Sequence, residues 1–162
     1  MRKIAVYPGT FDPVTNGHVD IITRALQLFS SVIVMVHSNP PKETLFDADE
    51  RISLVNKSLK NIRNVSVMGF TGLTVEFARK VKASVLVRGL RAVSDFEFEM
   101  QMGLMNRKLN KNIQTIYLMP KENYIYLSSS MVKEIARFNG DITDMVSSSV
   151  QNALRLKLEQ TK

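Results

Sequence analysis

Short runs of aliphatic and β-branched residues recur along the chain, separated by longer stretches in which apolar residues return every third or fourth position. The runs Ile4–Tyr7, Val32–His37, Val65–Met68, Val85–Arg88 and Thr115–Leu118 read as strands. The stretches near 18–29, 48–60, 72–81 and 95–110 read as helices between them, and two more near 129–138 and 147–159 close the chain. In the first helix Val19, Ile22, Ala25, Leu26 and Phe29 share one face. Asp47 to Glu50 and Ser94 to Glu97 each fit a capping box. Thr71 and Ser147 are placed to cap the third and last helices. Asn139-Gly140 ends the helix before it with glycine at C′.

Strands that alternate with helices predict a parallel sheet with right-handed crossovers. The strands are nearly all apolar, as expected when helices cover both faces. The expectation is an α/β, doubly wound single domain over residues 1–162 with a five-stranded parallel sheet in the order 3-2-1-4-5. In such sheets ligands bind beyond the carboxyl ends of the strands, where the strand order reverses. That point lies between the first and fourth strands. The first strand leads into Gly9 to His18, and the fourth into Arg88-Gly89-Leu90-Arg91. The helix at 95–110 is apolar on two faces: Phe98, Met102, Met105 and Leu109 on one, Phe96, Met100 and Gly103 on the other. It is either a central core helix or a helix that meets a neighbouring subunit.

Composition narrows the partners. A chain of 162 residues with 44% hydrophobic and 23% charged residues is ordinary globular protein. Cysteine is absent, which excludes a disulfide framework, a thiolate nucleophile and cysteine metal sites. No apolar run approaches the ~18 residues of a membrane helix, and Met1-Arg2-Lys3 runs straight into a strand, so neither membrane nor signal peptide is expected. The net charge of +7 suggests an anionic partner. With only a short basic cluster at Arg107, Lys108 and Lys111 and no tryptophan, small phosphates fit better than nucleic acid.

Four segments carry candidate chemistry. In Tyr7-Pro8-Gly9-Thr10-Phe11-Asp12-Pro13-Val14-Thr15-Asn16-Gly17-His18, a constrained loop runs into a helix N-terminus, whose free N–H groups and partial positive charge suit phosphate. His18 there is a donor to the same anion, its pKa lowered by the helix end. Arg88 ends an apolar strand and needs an anion opposite it; with Arg91 it forms a phosphate clamp. Ser128-Ser129-Ser130 offers a second phosphate-binding helix N-terminus, with Lys133 one turn on. Lys42 follows two prolines and is a lysine that could close over phosphates. Asp12 is either a turn carboxylate or a water-mediated contact to a cation.

With these residues in order, the chain resembles the bacterial phosphopantetheine adenylyltransferases, a family of the nucleotidyltransferase superfamily with the His/Thr-x-Gly-His motif. The resemblance spans roughly residues 2–158 and rests on the Tyr7–His18 segment, on Arg88 through Gln101, and on Ser128 through Glu134. It implies the Rossmann-like nucleotidyltransferase fold. It implies transfer of the adenylyl group of ATP to 4′-phosphopantetheine, giving 3′-dephospho-coenzyme A and pyrophosphate with Mg²⁺, the penultimate step of coenzyme A synthesis. It also implies a cytoplasmic homohexamer. By position, Thr10, Lys42, Thr74 and Arg88 are implied to contact phosphopantetheine. Thr10, Phe11, His18, Gly89, Leu90, Arg91, Glu99 and Tyr124, Ile125, Tyr126, Leu127, Ser128, Ser129 and Ser130 are implied to contact ATP. His18 is implied to stabilise the transition state, with Lys42 and Arg91 beside it, and no protein metal cage is needed. A related transferase acting on nicotinamide mononucleotide, and a non-catalytic nucleotide- or RNA-binding module, are the competing readings.

Overall fold

The computed structural model describes residues 3–41, 43–91 and 93–159, without the side chains of Val93 and Ser94. Five strands form one parallel sheet: β1 (Ile4–Gly9), β2 (Ser31–His37), β3 (Val65–Phe70), β4 (Val85–Gly89) and β5 (Gln114–Leu118). Their order is β3-β2-β1-β4-β5, as the alternation predicts. Between and after them run α1 (Asn16–Leu28), α2 (Ala48–Ser58), α3 (Thr74–Lys80), α4 (Val93–Leu109), α5 (Ser129–Arg137) and α6 (Ser148–Glu159), with a short 3-10 helix at Glu122–Tyr124. The central strands are covered on both sides: Ala5, Val6, Val32, Val34, Met35, Leu86 and Val87 are fully buried. The edge strands are not, and in β3 Ser66, Met68 and Gly69 are exposed.

The sheet itself opens the crevice. Strand β1 pairs with β2 from Ile4↔Ser31 to Gly9↔Val36, but with β4 at Ala5↔Val85 and Val6↔Leu86. Beyond those pairs β1 and β4 part. Their carboxyl ends therefore border a gap at the strand-order reversal, where ligands bind in folds of this kind.

Local signals were right where side chain and backbone are neighbours. Asp47 and Glu50 form the expected capping box on α2. Other caps differ. Helix α4 begins at Val93, so Ser94 lies within it; Asp95 supplies the acidic residue favoured in a first turn. Helix α3 starts after Leu73 without a side-chain cap. Gly72 (φ +129°) turns the chain between Thr71 and that start, leaving Thr71 too far upstream. Ser147 precedes α6, but its hydroxyl bonds Ser58 and Ser149. At the end of α5, Asn139 (φ +56°) takes the left-handed C′ position expected of Gly140. The N–H of Asn139 bonds Ala136 and that of Gly140 bonds Ile135, which is a Schellman arrangement.

The reading of α4 as a core helix is corrected. Phe96, Phe98, Met100, Met102, Met105 and Leu109 are each 41–60% exposed. Gly103 lets the helix lie against Tyr117 of β5, and the Tyr117 hydroxyl donates to the Glu99 carbonyl at 2.6 Å. The rest of its apolar surface stays open in a single chain.

Candidate active site

The loop after β1 is held by its own side chains. Phe11 sits at φ +53° and is buried, its ring edge-on to Tyr7 (5.5 Å) and His18 (5.1 Å). A Cβ at Gly9 would fall 2.8 Å from the Phe11 ring, so glycine is what lets that ring fold back. The side chain of Phe11 is thus a floor beneath His18, and little of it is accessible to a ligand. Both carboxylate oxygens of Asp12 are taken, by the N–H groups of Leu45 and Phe46 and by the Lys133 ammonium at 2.6 Å. Burial acts to raise the Asp12 pKa, but Lys133 and those two amides outweigh it and hold it below its ordinary value.

At the start of α1, Thr15 and His18 form a capping box with histidine in the place of the usual glutamate. The Thr15 N–H donates to His18 Nδ1 at 3.0 Å, and the Thr15 hydroxyl lies 2.9 Å from the same nitrogen. A backbone N–H only donates, so Nδ1 is the acceptor and the neutral ring carries its proton on Nε2. Burial, then the charges of Arg91 and Arg88, push the His18 pKa down to about 4. The direction matches the expectation, but the principal cause is burial rather than the helix end.

The other donors of this terminus are fewer than the loop suggests. The Asn16 N–H bonds the Met145 carbonyl and that of His18 faces the Thr15 hydroxyl. The Gly17 N–H has no partner among the described residues. A neutral Nε2–H and one free amide are what α1 presents to an anion.

The lowered pKa has a consequence for stability. Between pH 4 and 6.5 the folded chain binds fewer protons than the unfolded one at His18. Stability therefore rises with pH across that window, and is lost as the pH falls through it. His37, also lowered by burial and by Arg88 and Arg51, adds in the same direction. An NMR titration should place the His18 midpoint near 4, with thermal stability falling on acidification below 6.5. A midpoint at the ordinary 6.5 would contradict this picture of the site.

The three serines have three roles. Ser128 caps α5 by accepting from the Met131 N–H at 3.1 Å. Ser129 donates to the Pro13 carbonyl at 2.7 Å, tying α5 to the first loop. Ser130 is exposed, and its hydroxyl has no partner among the described residues. The amides of Ser129 and Ser130 are also unpaired among the described residues, so α5 is the second free helix N-terminus that the sequence predicts.

The basic groups are already paired. Arg88 grips Glu99 with two nitrogens, Nε at 2.8 Å and Nη2 in a shorter bond, and donates to the Pro8 carbonyl at 2.9 Å. Arg91 meets Asp95 at 3.2 Å and donates to the Leu127 carbonyl at 2.8 Å. Lys133 holds Asp12. The anion that Arg88 needs is thus supplied first by Glu99, itself buried. Arg91 and Asp95 are half-exposed, and a pair of that kind is worth little and separates readily.

Two cavities meet here. The first, about 280 Å³, is lined by Thr10, Phe11, Gly17, His18, Arg88, Gly89, Arg91 and Glu99 on one side. Tyr124, Leu127 and Ser128 to Ser130 line the other. The second, about 780 Å³, runs past Thr10, His37, Phe70, Leu73, Thr74 and Arg88 along Phe98, Met102, Met105 and Leu109 of α4. They share Pro8, Gly9, Thr10, Arg88 and Glu99. Leu90, Ile125 and Tyr126 line neither; Ile125 and Tyr126 are exposed, and the Leu90 N–H bonds the Leu118 carbonyl. Lys42 lies outside the described residues.

The residues that sequence reasoning missed are the ones that act over distance. Arg51 is 1% exposed, and its guanidinium donates to the carbonyls of Phe46, Asp47, Thr10, His37 and Ser38. It stitches the ends of β1 and β2 to the start of α2. Asp20 holds the Lys121 N–H at 2.9 Å and so fixes the approach to Tyr124. An isolated arginine in a helix and an aspartate on its exposed-looking side carry no local signal of such partners.

The model of the cytidylyltransferase-like family matches residues 6–135. A Desulfosudis oleivorans protein described as phosphopantetheine adenylyltransferase is 52% identical over 156 residues, 96% of this chain and 93% of that one. The chain belongs to the cytidylyltransferase-like family, among its phosphopantetheine adenylyltransferases. This member is therefore a nucleotidyltransferase. The fold recurs at 20% identity and a TM-score of 0.76, over 100% of this chain and 98% of the other, in a Vibrio parahaemolyticus crystal structure provisionally assigned as a nicotinate-nucleotide adenylyltransferase. Among the described residues of this nucleotidyltransferase, no helix is long and apolar enough to cross a membrane.

Proposed function

We propose that the chain transfers the adenylyl group of ATP to 4′-phosphopantetheine, releasing pyrophosphate and forming 3′-dephospho-coenzyme A in the penultimate step of coenzyme A synthesis. The observation that carries this reading is the meeting of two unlike cavities at Thr10 and Arg88. One is polar and faced by two helix N-termini, which suits a nucleotide triphosphate. The other is long and lined by Phe98, Met102, Met105 and Leu109, which suits an extended thiol-ended arm.

The acceptor phosphate is already an anion, so no base is required. It attacks the α-phosphorus of ATP, a P–O bond forms to the acceptor oxygen, and the bond to the departing pyrophosphate breaks. Such transfers depend mostly on positioning and on stabilising charge. In this reading His18 Nε2–H and the Gly17 amide face the α-phosphate, the α5 N-terminus and Arg91 face the phosphates beyond it, and Thr10, Thr74 and Arg88 hold the acceptor, with Lys42 as a further phosphate contact. The binding roles of Gly89, Glu99 and Tyr124 through Ser130 belong to the same proposal, with Glu99 acting through Arg88.

Among the described residues, no cluster of three His, Asp or Glu could hold a metal, and the Asp12 oxygens are occupied. The Mg²⁺ of this proposal would arrive with ATP rather than be held by side chains of the protein, and the chemistry it would supply is charge neutralisation on the phosphates. The open apolar surface of α4 supports assembly of several copies, a homohexamer in this proposal, in the cytoplasm.

The test is pyrophosphate release from ATP and Mg²⁺ with each candidate acceptor. Release with phosphopantetheine and none with nicotinamide mononucleotide supports the proposal. The reverse pattern would replace it with the neighbouring activity, and strongly salt-dependent oligonucleotide binding without release would point to the non-catalytic reading.

A further inference from the structure

We infer that His37 is a direct contact for the phosphate of the acceptor and sets the preference for a phosphorylated arm over an unphosphorylated one. The inference rests on the acceptor reading of the second cavity. His37 ends β2 one residue past Val36, which pairs with Gly9, so it stands beside Thr10 at the mouth of that cavity. One nitrogen of Arg51 ties the two positions together: Nη1 donates to the Thr10 carbonyl and to the His37 carbonyl, each at 2.8 Å. The backbones of Thr10 and His37 are thus clamped to a single buried atom, and both residues line the cavity with Arg88 and Thr74.

The ring of His37 has no use inside the protein. It is half-buried, and neither ring nitrogen has a hydrogen-bond partner among the described residues. No buried side-chain nitrogen or oxygen among the described residues lacks a partner, so the ring nitrogens of His37 are open to the cavity and to whatever enters it. Burial first, then Arg88 and Arg51, hold its pKa below the ordinary value, so at neutral pH it presents an N–H donor rather than a third cation. A phosphate monoester between Arg88 and Thr10 offers that N–H an ionised acceptor in place of water, and such a bond is of the stronger kind. The arm of the ligand then runs away from His37 along α4, out of its reach. His37 therefore acts on the phosphate end alone.

Calorimetric titration of phosphopantetheine and of pantetheine separates the phosphate from the arm. Wild-type protein should prefer phosphopantetheine. His37→Leu keeps the bulk and loses the donor, and should weaken phosphopantetheine about tenfold, the order of one charge-assisted hydrogen bond, with pantetheine, ATP affinity and thermal midpoint unchanged. His37→Gln keeps an N–H donor and should retain most of the preference. Equal weakening of both ligands in His37→Leu, an unchanged preference there, or loss of preference in His37→Gln equal to that in His37→Leu overturns the assignment. If wild-type protein binds both ligands alike, or neither, the acceptor reading itself fails before any variant is compared.

Discussion

His18→Ala should lower kcat by about 10²–10³-fold, the range seen when one preorganised donor to a developing charge is removed, while ATP affinity changes little. The reason is in the way the ring is held. Thr15 fixes Nδ1 as an acceptor, Phe11 packs beneath the ring, and burial keeps it neutral, so the Nε2–H is aimed without reorganisation. In the proposed reading nucleotide binding draws on other groups as well, the α5 amides and Arg91 among them, and these survive the substitution. Steady-state kinetics with independent measurement of ATP affinity separates the two effects. Turnover close to wild type would remove His18 from the chemistry and leave it a helix cap.

Arg88→Ala should raise the KM for phosphopantetheine about tenfold or more, with a smaller change in kcat, because the contact is made in the ground state. The structure adds a complication that the kinetics must resolve. Glu99 is 8% exposed and is held by Arg88 through two bonds. Removing the guanidinium leaves a buried carboxylate without its partner, which costs stability and repels the incoming phosphate. The double variant Arg88→Ala with Glu99→Gln removes that orphan charge. It should recover thermal stability and keep the high KM. A KM restored to the wild-type value in the double variant would mean that Arg88 only neutralises Glu99 and does not touch the acceptor.

These two residues also show what the sequence could and could not carry. Continuous β-branched runs placed the five strands and period-3.6 patterning the six helices, because the central strands are covered on both faces and each helix buries one face that its own residues define. The loops that line the first cavity were legible too, since they are contiguous turns and helix starts. What was hidden is pairing across the chain. Arg88 finds Glu99 on α4, Asp12 finds Lys133 on α5, and Arg51 reaches the ends of β1 and β2, contacts set by topology and by no local motif. The same holds for caps. Asp47–Glu50 worked because both partners lie in one turn, whereas Ser147 was drawn to Ser58 on a distant helix. For α4 the sequence left two readings open, a core helix or a helix that meets another subunit, because an apolar pattern tells that a surface is to be covered and not by which chain; the exposure of its faces removes the first.

The proposed reading, in which the two cavities that meet at Thr10 and Arg88 each receive one phosphate, requires a single displacement at the α-phosphorus of ATP, with no adenylyl group carried on the protein. Stereochemistry reports this most directly. With one diastereomer of ATP bearing sulfur on the α-phosphate, and phosphopantetheine as acceptor, the product should show inverted configuration at phosphorus. Retention would require two displacements through a covalent adenylylated side chain, and would contradict direct transfer between the two sites.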